Sequence, residues 1–215
     1  MLTVRKFSKK YSERLILSIP ELSFPAGVHW IKGENGAGKS TLFRSIAGLI
    51  PFEGSIAFSD GVCMRTQAKK FLHRVTYGEA EPVYPGFVSA RDLVTFVGNA
   101  RHASQAERDS LLESFGINEY WAQPSFSYSS GMLKKVSLAM CFLGDPQVIV
   151  LDEPFVTLDA SAQQTLASLI RDFVTKKETL ILISSHQTFD QLTPIKSVFT
   201  IREKSLMQES VSSAQ

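Results

Sequence analysis

Hydrophobic and polar residues follow two different spacings along this chain, and each spacing predicts a different kind of element. Alternating apolar positions are typical of strands with one buried face, and short continuous apolar runs are typical of strands buried on both faces. Segments of these two kinds lie at 2–24 (two strands around a turn at 9–12), 28–32, 54–58, 61–65, 71–77, 148–151, 179–185 and 198–201. The neighbouring segments 54–58 and 61–65 predict a hairpin.

Apolar residues at every third or fourth position predict helices between these strands. The helical segments are 41–47, 89–98, 104–115, 130–143 and 161–176. The third strand and first helix flank a glycine-rich stretch, and the next three helices follow one another without an intervening strand. Strand-rich, α/β, all-helical and again α/β regions therefore succeed one another, which predicts an α/β core interrupted by a helical lobe.

Composition limits the class of protein without identifying its chemistry. The 215 residues are 44% hydrophobic and 20% charged, with a net charge of +2, which is ordinary for one domain with a full core. So small a charge gives no reason to expect a nucleic-acid partner. The two cysteines, Cys63 and Cys141, are far apart and predict neither a disulfide framework nor a metal site. No apolar stretch predicts a membrane span or a signal peptide, so we expect a cytoplasmic protein.

The glycine-rich stretch matches the phosphate-binding pattern G-x-x-x-x-G-K-[ST] and stands between a predicted strand and a predicted helix. In such a loop backbone N–H groups surround a phosphate, the lysine adds positive charge, and the next helix presents its positive dipole end. We expect the Ser40 hydroxyl to bind Mg²⁺. The predicted nucleotide-binding residues are Gly33, Glu34, Asn35, Gly36, Ala37, Gly38, Lys39, Ser40 and Thr41.

Two acidic residues follow the apolar run 148–151 directly. Asp152 and Glu153 would lie at the carboxyl end of a buried strand, where ligands bind in open α/β sheets. We expect Asp152 to hold Mg²⁺, directly or through water. Glu153 is then placed to polarise the water that attacks the terminal phosphate. Together with the phosphate loop, this pair predicts nucleoside triphosphate hydrolysis.

These motifs, in this order, make the chain resemble the nucleotide-binding subunit of ATP-binding-cassette (ABC) transporters over residues 11–186. The family's LSGGQ signature corresponds to Tyr128 and the residues Ser129, Ser130, Gly131 and Met132. In the family this segment caps the γ-phosphate of an ATP held by a partner subunit. The signature and the Ser-Ser-His at 184–186 are similar to those of ABC-2-type and haem-exporter-like subunits.

The resemblance implies a fold and a division of the chain. The fold class is α/β: a P-loop NTPase core with an N-terminal antiparallel β subdomain and an inserted helical subdomain. The core with its β subdomain would comprise residues 1–84 and 145–206, and the helical subdomain with the signature would comprise 85–144. A polar, flexible tail is expected at 207–215.

Three further positions are assigned by the resemblance. Asp159 falls in the D-loop and would couple two sites across a dimer. His186 matches the histidine that contacts the γ-phosphate and orients Glu153. Tyr11 lies where the family stacks an aromatic ring on adenine, with Phe7 as the alternative.

One departure concerns the glutamine that the family places between core and helical lobe. Residues 75–82 contain no glutamine, and spacing assigns either Ala80 or Glu81 to that position. Glu81 could supply an oxygen to the metal, and we assign it the position; Ala80 could not.

The resemblance implies an ATPase subunit of a transporter, with ATP and Mg²⁺ as cofactors. Its partners would be a second ABC ATPase subunit, identical or not, and an integral membrane permease. The chain would then lie on the inner face of the cell membrane. The alternatives are a soluble ABC-type ATPase of DNA repair or translation, and a P-loop GTPase switch. The chain lacks the long coiled coils of the former and the Asn-Lys-x-Asp motif of the latter.

Overall fold

A computed structural model describes residues 1–186, 188–189 and 193–209. Within these residues one mixed sheet has nine strands in the order β4-β1-β2-β9-β8-β3-β7-β6-β5. The strands are β1 (Leu2–Tyr11), β2 (Arg14–Phe24), β3 (Gly27–Lys32), β4 (Glu53–Phe58), β5 (Val75–Gly78), β6 (Val148–Asp152), β7 (Leu180–Ser184), β8 (Ser197–Arg202) and β9 (Ser205–Gln208).

The sheet has a parallel half and an antiparallel half. Strands β8, β3, β7, β6 and β5 run parallel to one another. Strands β1 and β2 form the antiparallel pair predicted from the alternation in residues 2–24, and β4 pairs antiparallel with β1 instead of with a strand at 61–65. The short β9 joins the halves, antiparallel to β8 and parallel to β2. The carboxyl ends of β3, β6 and β7 therefore meet at one edge.

The helices of the described residues are α1 (Lys39–Ile46), α2 (Ala68–His73), α3 (Ala90–Ala100), α4 (Gln105–Ser114), α5 (Ser130–Cys141) and α6 (Ala160–Lys177). Ser89, Ser104, Ser129 and Asp159 cap α3, α4, α5 and α6 by accepting a backbone N–H three residues on. Helices α3, α4 and α5 all fall within the segment predicted to form the helical lobe. None of the helices in these residues combines the length and apolar character needed to cross a bilayer.

The central strands are buried on both faces, which explains their uninterrupted apolar sequences. In β6, Ile149 and Leu151 pack with the helical side, whereas Val148 and Val150 pack with α1 and the antiparallel strands. The two hydrophobic clusters therefore lie on opposite faces of the same sheet. The edge where the carboxyl ends of β3, β6 and β7 meet is therefore supported by core packing on both faces of the sheet.

Three local predictions are wrong. Residues 61–65 form no strand, only a single bridge between Ala57 and Cys63. Residues 71–77 divide between α2 and β5, because Phe71 is a core residue of a short helix. The tail predicted from residue 207 begins inside β9, whose Met207 pairs with Thr200; residues 210–215 lie outside the described residues.

Candidate nucleotide-binding site

The phosphate loop connects β3 to α1 through a backbone that glycine permits. Gly36 and Gly38 have φ angles of 79° and 112°, in the region that disfavours other residues. A Cβ at Gly38 would also lie 3.2 Å from Ile16 Cγ2. Gly38 is the N-cap of α1, and no side chain accepts a hydrogen bond there. The first N–H groups of α1 are therefore available to a phosphate.

Lys39 begins α1 and is largely buried. Its Nζ donates to the carbonyl oxygens of Gly33 at 2.7 Å and Glu34 at 3.1 Å, and lies 3.3 Å from His186 Nε2. Burial lowers the pKa of Lys39, and the charges of Glu153 and Asp152 oppose that shift. The ammonium group thus lies inside the loop, beside both acidic residues.

Asp152 ends β6 with its carboxylate buried but hydrogen-bonded. The Ser184 hydroxyl donates to Oδ1 at 2.5 Å, and the Tyr77 hydroxyl donates to Oδ2 at 3.4 Å. Neighbouring parallel strands supply these groups, since Asp152 pairs with Ser184 across β6 and β7. The carboxylate is fixed in orientation beside the phosphate loop.

Glu153 follows with a φ angle of 45°, an unusual value for a residue with a side chain. Such a conformation costs about 1–3 kcal/mol and persists where the surroundings determine it. The Glu153 N–H donates to both the backbone oxygen and the hydroxyl of Ser184, each at 3.1 Å. This turn directs the glutamate side chain back toward the phosphate loop.

His186 and Glu153 face each other across the site. The His186 N–H donates to Glu153 Oε2 at 3.2 Å, and His186 Nε2 lies 3.5 Å from Oε1. Glu153 Oε1 is buried and has no hydrogen-bond partner among the described residues. A buried, unpartnered carboxylate oxygen at a cavity wall is suited to accept a hydrogen bond from a water molecule.

These groups enclose a cavity of about 240 Å³. It is lined by Asn35, Gly36, Gly38, Lys39, Ser40, Thr41, Ala80, Asp152, Glu153 and His186. Ala80 lies in its wall and Glu81 does not, and Glu81 is exposed. The assignment of Glu81 to the missing glutamine's position is therefore wrong, because Ala80 occupies it and brings no oxygen from its side chain.

A second cavity, of about 630 Å³, adjoins the other side of the phosphate loop. Its wall includes Arg14 and Ile16 from the start of β2 and residues 200–204 around the β8–β9 turn. Tyr11, at the end of β1, pairs with Arg14 of this wall and is 49% exposed, with Lys9 Nζ 4.7 Å from the ring centroid. Phe7 is buried in the core, so only Tyr11 of the two candidates can present a ring to a ligand.

The signature segment lies at a different helix N-terminus. The Ser129 hydroxyl accepts from Met132 N at 3.3 Å, and Met132 Sδ accepts from Ser129 N at 3.5 Å. Gly131 is packed so closely that a Cβ would lie 2.9 Å from Thr157 O. Neither Ser130 nor the rest of this segment lines the phosphate cavity. The structure thus separates the signature from the other predicted site residues.

Asp159 lies between the acidic end of β6 and helix α6, and it contacts α5, the helix that begins at the signature. Its carboxylate caps α6 by accepting from Ala162 N at 2.8 Å and pairs with Lys135 Nζ at 2.6 Å. The hydrogen bond from Lys135 lowers the pKa of Asp159. The predicted D-loop residue is therefore tied to α5, one turn after the signature.

Sequence reasoning missed Tyr77, Lys134 and Ser184, all of which contact Asp152. Burial lowers the pKa of Lys134 to about 8. Signals existed: Lys134 shares a helix face with Leu138 and Cys141, and Ser184 ends an otherwise apolar strand. A charged residue on an apolar face needs a buried partner.

The site's chemistry fits a nucleotide with Mg²⁺. The uncapped helix N-terminus suits a phosphate. Mg²⁺ is usually held by one or two carboxylates together with substrate phosphates, and Asp152 and the Ser40 hydroxyl provide the protein oxygens here. These two residues would hold the ion, whose charge would offset that of the terminal phosphates.

Comparison with known proteins agrees with this chemistry. Residues 20–156 match the family model described as ABC transporter. The lantibiotic transport ATP-binding protein SrtF of Streptococcus pyogenes is 31% identical over 188 residues, covering 86% of this chain and 80% of that protein. The cytochrome c biogenesis ATP-binding export protein CcmA of Saccharophagus degradans is 30% identical over 196 residues, covering 86% of each.

Solved structures share the fold. An ATP-binding subunit of an ABC transporter superposes with a TM-score of 0.88 at 24% identity, covering 98% of this chain and 90% of that one. A dimeric ATP-binding cassette bound to ADP and Pi in a post-hydrolysis state gives 0.80 at 17% identity, covering 98% of each chain.

Proposed function

This chain belongs to the ABC transporter family, and we propose that it is an ATPase subunit in which Glu153 and His186 carry hydrolysis at the phosphate loop. The observation that supports this most strongly is the buried, unpartnered Glu153 Oε1 beside His186 and Lys39. Glu153 as the base, His186 as the orienting group and Lys39 as the cation all lie in the wall of one cavity. ATP binding and hydrolysis are the activities of the family.

In this mechanism the chain's own groups act at the terminal phosphate. Lys39 would leave the carbonyl oxygens of Gly33 and Glu34 and bind phosphate oxygens. A charged phosphate attracts the ammonium group more strongly than the two neutral carbonyl groups do. Glu153 would hold the attacking water through Oε1, and His186 would bind the γ-phosphate and orient the glutamate. Asp152 and Ser40 would hold Mg²⁺.

Tyr11 would stack on the base of the nucleotide. Its half-exposed ring at the end of β1 supports this role, because stacking on an aromatic ring needs only an accessible face. The Lys9 ammonium lies over that ring, so a base would either replace it or use the opposite face.

Two subunits would complete the site. The α5 N-terminus with Ser130 and Gly131 lies outside this chain's own phosphate cavity, yet it offers N–H groups and a dipole to an anion. A second copy, or a related subunit, would bring its signature against the phosphate held here. Asp159, tied to Lys135, would then connect one site to the other.

A separate permease would move the transported molecule. The supporting feature is an apolar groove of about 450 Å³ between α2 and the helical segment, lined by residues that include Leu49, Leu72, Val83 and Met140. Val83 and Phe87 beside it are over four-fifths exposed. A helix of the permease docked there would place this chain on the inner face of the membrane. A relative named for import and one named for export are each 30% identical to this chain.

The test is Mg²⁺-dependent ATP hydrolysis by the purified chain, compared with Glu153→Gln. We expect turnover in the parent and a loss of about 10³-fold in the variant, because the base is removed while size is preserved. Glu113→Gln, an exposed carboxylate on α4, is the matched control and should retain full activity. Equal turnover in parent and Glu153→Gln would contradict the assigned role.

The permease is tested by capturing the tagged chain from membranes in mild detergent. A multi-span membrane protein recovered in equal amount supports the transporter subunit. Recovery with ribosomes or DNA instead would contradict it and favour a soluble ATPase of translation or repair.

A further inference from the structure

Lys134 is a fully buried lysine in the middle of α5, with 1% of its surface exposed. Its Nζ donates to three carbonyl oxygens: Glu79 at 2.6 Å, Ala80 at 3.0 Å and Asp152 at 3.0 Å. All three donors of the ammonium group are thus used on backbone oxygens. Burying a cation is unfavourable unless all of its donors are hydrogen-bonded. The buried Lys134 ammonium group therefore requires these three carbonyl oxygens in their places.

One of these oxygens belongs to the peptide that joins Asp152 to Glu153. The N–H of the same peptide donates to Ser184. The peptide is therefore fixed at both of its polar ends, from α5 and from β7. Glu153 has a φ angle of 45°, and a conformation of this kind persists only where the surroundings determine it.

The other two oxygens belong to the segment that follows β5. Ala80 lines the phosphate cavity opposite the acidic residues. One ammonium group therefore joins the cavity wall at 79–80, the acid-bearing end of β6, and the helix that begins at the signature. No other described side chain makes hydrogen bonds to all three of these parts.

We propose that Lys134 is a positioning residue that sets the orientation of the Glu153 carboxylate through the Asp152–Glu153 peptide. Lys134 thereby links the orientation of the Glu153 carboxylate to the positions of α5 and of residues 79–80. A displacement of the signature helix, as when a partner's nucleotide binds it, is then transmitted to the catalytic base. Ala80 takes part in this link through its backbone carbonyl oxygen, because its side chain carries no oxygen. This inference rests on the proposed function of Glu153.

The test compares three variants at a temperature where each is folded. Lys134→Met keeps the length of the side chain but removes every donor, and we expect kcat to fall about 10²-fold with KM for ATP nearly unchanged, because the base is misplaced while the phosphate loop is intact. Lys134→Gln keeps two N–H donors without charge and should recover much of the loss. Lys176→Gln, an exposed lysine on α6, is the control and should match the parent.

A merely structural lysine would give a different result. Lys134→Met would then lose activity only in proportion to its unfolded fraction, or would change KM and kcat together, and either result overturns the proposal. Parent turnover tests the ATPase itself, so a failure of the proposed function is seen separately.

A measurement on the parent applies even where a variant does not fold. Without nucleotide, the amides of residues 79–84 and 152–156 should lose their protection from hydrogen exchange at the same denaturant concentration, since one side chain holds both segments and no ligand touches either. Loss of protection in one segment at a much lower denaturant concentration than in the other would contradict the link.

Discussion

The N-termini of α1 and α5 are both suited to an anion, yet they are built differently. Helix α1 begins after Gly38 with no side-chain cap, and its first residue is the buried Lys39. Helix α5 begins after Ser129, which caps it, and its first turn contains no acidic residue. Asp152, Glu153 and His186 converge only on α1.

The difference supports the proposal that the predicted catalytic groups and the signature are complementary halves of one site. The α1 end holds the charge, the base and the metal-binding oxygens, whereas the α5 end offers N–H groups and a dipole alone. A helix dipole near a phosphate contributes far less than a full charge with a base beside it. In the proposed dimer, each half would gain its function when a second chain brings the other half to it.

The largest effect is expected at the charged half. Lys39→Ala removes the cation from the α1 N-terminus and should reduce ATP hydrolysis by about 10³-fold, with weaker ATP binding, because developing phosphate charge loses its main donor. Steady-state turnover and nucleotide titration measure both effects. Lys10→Ala, an exposed lysine on β1, should behave as the parent. Unchanged turnover in Lys39→Ala would remove the distinction between the two helix ends.

His186→Ala should have the next largest effect. We expect kcat to fall about 10²-fold while ATP binding is largely retained, since the phosphate loop and Lys39 still hold the phosphates when the one contact from His186 to the γ-phosphate is lost. Single-turnover hydrolysis and equilibrium binding separate the two quantities. His73→Ala, far from the cavity on α2, is the control. A variant that loses binding and turnover equally would contradict the orienting role.

The uncharged half is tested by Gly131→Ala. An added Cβ would lie 2.9 Å from Thr157 O, so the signature must shift while the phosphate loop is untouched. ATP binding to the single chain should be unchanged and turnover should fall about tenfold. Mixing this variant with Lys39→Ala should restore turnover above that of either alone, because one intact composite site forms. A mixture no more active than its components would argue against shared sites.

The smallest effect is expected at Tyr11, outside both halves. Tyr11→Ala should raise KM for ATP about tenfold and leave kcat nearly unchanged, since base stacking contributes about 1–3 kcal/mol to binding alone. Tyr11→Phe keeps the ring and should match the parent. An unchanged KM in Tyr11→Ala would place the base elsewhere, such as beside Arg14.

Continuous patterns predicted the sheet and most helices. The apolar runs of β6 and β7 and the helical spacing of apolar residues in α3, α4 and α5 are local signals, and local signals suffice where burial is uniform. Residues 61–65 and 71–77 failed because short apolar segments do not distinguish strand from helix or loop. Strand β9 was missed because it is short. It pairs with β8 across a turn, and no pattern in the sequence marks that turn.

At the site, motifs predicted the residues but not their contacts. Phosphate loop, acidic pair and His186 could be aligned by order along the chain. The choice between Ala80 and Glu81 required the structure, since a one-residue difference turns a side chain from the cavity to solvent. Lys134 was missed because its partners are backbone carbonyls, which no residue type reveals.

The most direct test of two complementary halves is the mass in solution of Glu153→Gln with and without ATP and Mg²⁺, measured by light scattering. The account predicts one chain without nucleotide and two with it, since ATP held at one α1 would be captured by the other chain's α5. Adding Gly131→Ala to the same protein should return it to one chain. A Glu153→Gln protein that binds ATP and stays a single chain at every concentration tested would contradict the account.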